Sequence, residues 1–155
     1  MPSPEHSVLP LRLQGSLVRE FLTFLLGGEA FGVPLTQVQE IRTLPLLTEV
    51  PRAAHDVMGI CSVRGILVTV IDIRERLHVP QRPATRAARV LLTESTQGES
   101  LGIFVDEVIG VQRFAEGQIE APSAGLVGDV ASHIEGIGRR GNKVTVLLNL
   151  TWLIG

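Results

Sequence analysis

The chain has 155 residues, enough for one domain or two closely packed small ones, and 45% of them are hydrophobic. Aromatic residues make up only 4% and tyrosine is absent, so the core is predicted to be built from Val, Ile and Leu. A formal net charge of −2, from 14 basic and 16 acidic residues, gives no global pull toward nucleic acid.

The N-terminal 16 residues hold three prolines and no periodicity, and they read as a loose tail ahead of a domain spanning residues 17–155. Residues 19–26 read as a strand through Phe21, Leu22, Phe24, Leu25 and Leu26. Gly27-Gly28-Glu29 is a turn, and residues 30–33 return as the second strand of a hairpin. Pro34 is predicted to open a short helical turn that puts Leu35, Val38 and Ile41 on one face. Residues 44–50 are irregular or a short strand, and residues 53–57 are predicted to form one helical turn.

The central stretch runs from Gly59 to Leu77. It reads as strand, tight turn at Gly65, second strand and helical turn. Residues 66–71 are almost wholly apolar, which predicts a strand buried on both faces. Arg64 is the single charge in the hairpin, and on general turn composition it is a solvated turn residue. Cys61 is the only cysteine, so no disulfide forms within one chain; it is expected to be a buried, inert thiol in a reducing cytoplasm.

Residues 78–86, with Pro80 and Pro83, form the best linker. Beyond it residues 89–93 and 101–105 read as a hairpin around a turn at 96–99. Residues 106–113 continue extended or as a short helical turn, and 115–132 is a loop punctuated by Gly and Pro. Residues 134–137 and 143–148 form a last hairpin, and 150–154 a terminal helical turn carrying Trp152.

The two halves match in order. Gly32, Val38 and Ile41 share their spacing with Gly102, Val108 and Val111. Gly59-Ile60 and Arg64-Gly65 recur as Gly136-Ile137 and Arg140-Gly141 with one residue fewer between them. Val68-Thr69-Val70 recurs as Val144-Thr145-Val146, and Asp72-Ile73 as Asn149-Leu150. One unit used twice, about five short strands each time, predicts two small barrels packed together, since closure removes the exposed strand edges.

Chemistry for catalysis is missing. There is no P-loop, dinucleotide fingerprint, serine elbow or zinc pattern, and the four histidines lack metal-ligand spacing. The glycines of residues 136–141 lead into a strand and not into a helix N-terminus, so they serve a hairpin and not a phosphate. Asp72 and Asp106 follow strands and read as caps, while Glu40 and Glu107 read as solvated. No metal or cofactor is expected. No apolar run reaches the ~18 residues of a membrane span, and no signal peptide is recognisable, which predicts a cytoplasmic protein without membrane insertion. A binding module fits best: two barrels side by side offer an aliphatic groove for an amphipathic helix, with a polar residue such as Arg64 or Glu40 setting register. An enzyme or ligand-binding barrel would need a polar-lined pocket, and a nucleic-acid-binding double barrel would need a basic, aromatic-lined groove.

The segments Val38-Gln39-Glu40-Ile41-Arg42, Gly59-Ile60, Val63-Arg64-Gly65, Val70-Ile71-Asp72-Ile73-Arg74 and Gly102-Ile103 followed by Val105-Asp106 and Val108 resemble the CheW family of bacterial chemotaxis coupling proteins. The resemblance covers residues 19–154, nearly the whole chain. It implies a mainly β fold of two five-stranded SH3-like barrels, and a non-enzymatic adaptor with no cofactor. The implied partners are the regulatory domain of a CheA-type histidine kinase and the cytoplasmic tip of a methyl-accepting chemoreceptor, with other CheW-like domains as further contacts. Carried over by position, the receptor-facing residues are Val38, Glu40, Ile41, Gly59, Arg64 and Gly65, with Asp106, Glu107 and Val108 on the opposite wall. Kinase-contact residues are not assigned. The resemblance also shows departures: Ser62-Val63 replaces the usual Asn-Leu, Thr69 the usual Pro, and Gly110 an acidic or polar residue. They point to a divergent adaptor in a secondary chemosensory pathway. The alternative is an array scaffold that binds kinase or other CheW domains without touching receptor.

Overall fold

The computed structural model describes residues 12–13, 16–122 and 133–150. Twelve strands account for nearly all the regular structure: β1 (Arg12–Leu13), β2 (Ser16–Leu26), β3 (Glu29–Pro34), β4 (Glu40–Thr43), β5 (Val57–Val63), β6 (Ile66–Ile71), β7 (Arg89–Glu94), β8 (Ser100–Val105), β9 (Glu107–Ala115), β10 (Ile119–Glu120), β11 (Ile134–Arg140) and β12 (Lys143–Leu148). They form two sheets. One has the order β4-β7-β8-β6-β5; the other has seven strands, with β9 and β1 both on β2 and the path continuing β3-β12-β11-β10.

Setting aside the two-residue strands β1 and β10, each sheet is five strands in the same order, β4-β7-β8-β6-β5 beside β9-β2-β3-β12-β11. Both hold one parallel pair at equivalent places, β6 with β8 (Val70↔Gly102) and β12 with β3 (Leu147↔Gly32). Both curl shut in the same way. The chain beyond β4 reaches β5 through the bridge Thr48↔Ile60, and the chain beyond β9 reaches β11 as β10, with Glu120↔Ile137. These are the two barrels.

The barrels are not the two halves of the sequence. Each half lends its first hairpin to the other: β2–β3 completes the barrel of β9 to β12, and β7–β8 completes the barrel of β4 to β6. The structure also adjusts the repeat. Pairing of Val63↔Ile66 and Arg140↔Lys143 around the turns, and of Gly59↔Val70 and Gly136↔Leu147 further along, gives one constant offset through both hairpins. No residue is missing between them, and Arg64 is matched by Gly141, not by Arg140.

Local expectations fared unevenly. The helical turn after Pro34 is a 3-10 turn of three residues (Leu35–Gln37), and Ile41 lies on a strand. The backbone N–H of Gln39 donates to the Leu92 carbonyl at 2.8 Å, so pairing with β7 captures the segment before a second helical turn forms. Residues 53–57 contain hydrogen-bonded turns and the first residue of β5, not a helix. Residues 106–113 take the extended alternative. Ile66 and Leu67 are exposed, because β6 pairs with β8 only from Thr69 to Ile71 and its first residues project past that partner. Cys61 is half-buried, not fully enclosed. Arg12–Leu13, within the stretch read as a tail, pairs with the start of β2, and the predicted terminal turn around Trp152 lies outside the described residues.

Two cores result. Phe21, Phe114 and Leu147 fill the second barrel, with the Phe21 and Phe114 rings edge-on at 6.1 Å. A larger cluster joins β2–β3 residues (Leu22, Phe24, Phe31, Val33) to Val90, Leu91, Ile103 and Val105 of β7–β8, so the barrel interface is itself core. Each fully buried side chain of this size stabilises the fold by ~1.5–3 kcal/mol.

Candidate functional site

Val63 and Ile66 close the β5–β6 hairpin around a two-residue turn, Arg64-Gly65, with φ of +50° and +80°. Positive φ at both positions is the type I′ geometry that matches strand twist and favours Asn-Gly. Gly65 suits it; Arg64 does not. A non-glycine residue in that region is strained and persists only where its surroundings hold it.

What holds Arg64 is Glu40. Its Nη2 donates to Glu40 Oε1 at 2.6 Å and its Nη1 to Oε2 at 3.3 Å, a two-pronged contact. Arg42 Nη1 donates to the same Oε2 at 2.7 Å. Glu40 sits on β4 opposite Leu92 of β7, while Arg64 tips the β5–β6 hairpin. β4 and β5 share no ladder; the Thr48–Ile60 bridge closes the barrel at one end of this seam and the ion pair spans it at the other. Next to Arg64 lies a cleft lined by Val63, Ile66, Val68, Leu92 and Leu101 and by the polar Gln39, Arg64, Thr93 and Ser100. The hydrogen bonds from Arg64, then those from Arg42, hold the Glu40 carboxyl down at about 2, so it is ionised at neutral pH. Glu40 is thus no solvated bystander. Ile66, which exposes 56% of its surface, lines the cleft together with Arg64, while Ile41, 42% exposed, lies on the opposite face of β4 from Glu40 and Arg42. An exposed apolar side chain next to a fixed charge is the composition of a docking surface.

The other sequence candidates divide. Val38 is half-buried against the shared core where the 3-10 turn ends. Gly59 is buried at the barrel-closing bridge, where an added Cβ would stand 2.7 Å from the Thr48 carbonyl oxygen; its place is explained by that approach. Asp106, Glu107 and Val108 are not beside Arg64. Leu101 in the cleft wall and Asp106 lie at opposite ends of β8, about 17 Å apart by strand rise. Asp106 is also committed internally, its Oδ2 accepting the Gly27 N–H at 2.8 Å and its Oδ1 a contact from Arg74. Glu107 is exposed, and Val108 packs on the shared core opposite Phe24.

Sequence reasoning missed Arg42 and Arg74. The signal for Arg42 is period-two spacing from Glu40 once β4 is a strand; the signal for Arg74 is the Asp72-x-Arg74 spacing, which lets one carboxylate grip the other's guanidinium. Among the described residues no group of three or more His, Cys, Asp or Glu is placed to hold a metal, and no helix is long and apolar enough to cross a membrane.

Paired SH3-like barrels with a shared hydrophobic core, and an ion pair beside an open cleft of the first barrel, are the architecture of a protein-interaction module. The family model for the CheW-like domain matches residues 20–155, and the chain belongs to the CheW family. Members of that family are non-catalytic scaffolds and adaptors of chemotaxis signalling, and this is the role of the chain. It is 30% identical over 131 residues to the chemotaxis protein CheW of Bacillus subtilis, covering 84% of this chain and 81% of that one. It is 31% identical over 150 residues to the protein FrzA of Myxococcus xanthus, covering 93% and 90%. The scaffolding protein TtCheW of Thermoanaerobacter tengcongensis superimposes with a TM-score of 0.80 at 25% identity, covering 94% of this chain and 93% of that structure.

Proposed function

We propose that the chain couples the cytoplasmic tip of a chemoreceptor to the regulatory domain of a CheA-type histidine kinase, at membrane receptor arrays, and that the Glu40–Arg64 latch with Val38, Ile41 and Gly65 is its receptor-facing surface. The observation that carries this reading is the broken symmetry between the barrels. The second barrel closes the same hairpin with Gly141 where the first has Arg64, and Gly110 stands where Glu40 would fall. The second barrel has no such ion pair between β9 and β11; its hairpin arginine, Arg140, donates to the Arg113 carbonyl across the same seam. The seam is spanned there without paired charges, and the left-handed Arg64 paired with Glu40 is read as serving recognition as well as closure. Exposed ion pairs add little to stability, which argues the same way. Glu107 and Val108, which open β9, are proposed as a second contact along the same partner; Asp106 acts behind them. The departures at Ser62, Val63 and Thr69 flank the latch in sequence and support a divergent pathway with its own receptor.

The test is co-purification with the cognate kinase regulatory domain and a receptor signalling-tip fragment, comparing wild type with Arg64→Ala and Glu40→Ala. The expected outcome is that both substitutions weaken receptor binding by roughly tenfold, the scale of ~1.4 kcal/mol, and leave kinase binding intact. Kinase binding by a wild type that ignores receptor would instead make the chain an array scaffold. Binding to neither would remove the coupling role.

A further inference from the structure

Arg74 is the most buried charged residue among those described, with 7% of its side chain exposed. It follows β6 in the first barrel and gathers groups from three places. Its Nε and Nη2 donate to the two Asp72 oxygens at 3.0 and 2.8 Å, and its Nη1 donates to the Arg82 carbonyl at 2.9 Å. The same Nη1 lies 3.4 Å from Asp106 Oδ1, and the guanidinium carbon stands 4.6 Å over the Phe104 ring. Asp106 is the single residue between β8 of the first barrel and β9 of the second. Its backbone N–H donates to the Leu25 carbonyl and its Oδ2 accepts from Gly27, both on the β2–β3 hairpin of the second barrel. One guanidinium is therefore fastened to the first barrel through Asp72 and to the second through Asp106.

The fold repeats this junction without charge. At the equivalent crossing from β3 to β4, Gln37 Nε2 donates to Asn149 Oδ1 at 3.3 Å and Gln37 Oε1 accepts the Leu150 N–H at 2.9 Å. Asn149 is the repeat partner of Asp72. Neutral amides thus close one side of the molecule, and a buried ionic group closes the other. Ion pairs that are mostly desolvated resist rearrangement, because moving either partner leaves a buried charge uncompensated.

We infer that Arg74 is a positioning residue: through Asp72 and Asp106 it fixes the orientation of the two barrels, and so holds Glu107 and Val108, next in the chain after Asp106, in register with the Glu40–Arg64 latch. The inference rests on the proposed receptor-facing surface for its consequence in binding, but not for its geometry.

The test labels the full chain with paired spin labels at Thr96 on the first barrel and Lys143 on the second, both exposed, after Cys61→Ser. Distance distributions are compared for the parent, Arg74→Met, Arg74→Lys and Asp106→Asn. The parent is expected to give one narrow distribution. Arg74→Met and Asp106→Asn are expected to broaden it and to weaken binding of the receptor-tip fragment about tenfold, with partial recovery in Arg74→Lys, which keeps the charge but not the fork. If Arg74→Met does not fold, Asp106→Asn carries the test, since its amide oxygen still accepts from Gly27. Unchanged distances in folded Asp106→Asn overturn the inference, and so does broadening that leaves affinity untouched. A parent that binds no receptor tip removes the proposed function, while the distances, measured without partner, still judge Arg74.

Discussion

At Arg64 a backbone preference and a side-chain contact pull in opposite directions. The turn geometry asks for Asn or Gly, and the residue present is one whose long arm reaches Glu40 across the barrel seam. Replacing it with Asn separates the two demands. Arg64→Asn is expected to keep or raise the melting temperature, because the left-handed position now suits its occupant. In the same variant the Glu40 carboxyl, at about 2 in the wild type, is expected to climb toward 4.5, held down by Arg42 alone. The sign follows from the depressed value: the contribution of an ionised Glu40 is fully present above 4.5 and is lost as pH falls through about 2. A carbon-detected NMR titration of Glu40 in both proteins reads this directly, and an unmoved midpoint would refute the latch geometry.

Among the elements, β8 shows how closely the sheet is fitted. It lies between antiparallel β7 and parallel β6, and Gly102 at its centre leaves room for neighbouring valines. A Cβ there would stand 2.5 Å from Val90 Cγ1. Gly102→Ala is expected to cost ~1–3 kcal/mol in chemical denaturation, the range for overpacking a filled core. An Ala variant as stable as the parent would mean that β7 shifts easily. β4 makes the opposite point. The segment from Val38 into β4, read by helical spacing, puts Val38 and Ile41 on one face; in the sheet Ile41 is exposed on the face opposite Glu40 and Arg42. A spacing of three suits a helical face and puts the two residues on opposite faces of a strand, but two positions do not fix a period, and the hydrogen bond from Gln39 to Leu92 decides for the strand.

For the whole molecule, the exchange of hairpins makes each half of the chain incomplete. β2 and β3 find their partners β9 and β12 only after residue 106, and β4 finds β7 beyond the linker. A fragment ending at residue 86 is therefore expected to be unfolded by far-UV circular dichroism and amide dispersion, and the full chain to unfold in one cooperative step. A folded fragment would contradict the exchange. The shared core explains the cooperativity, since Leu22 and Phe24 of the first half pack among Leu91 and Ile103 of the second.

By itself the sequence determined the main hairpins, the internal repeat and the family, because each is written in local periodicity or in the order of short motifs. It did not show β1, β4 or β10 as strands, and the core expected from Val, Ile and Leu also takes in all five Phe, which are few in the composition but sit at its centre. Arg64-Gly65 was legible as a turn for the same reason. Which strands join which barrel was not legible, since a repeat says that two segments are alike and nothing about whether they pair within or between copies. Likewise the bond between Glu40 and Arg64, the separation of Asp106 from that site and its attachment to Arg74 and Gly27 depend on residues brought together from 24 to 79 positions apart. Those distances are set when the sheets curl and close, and only the tertiary structure decides them.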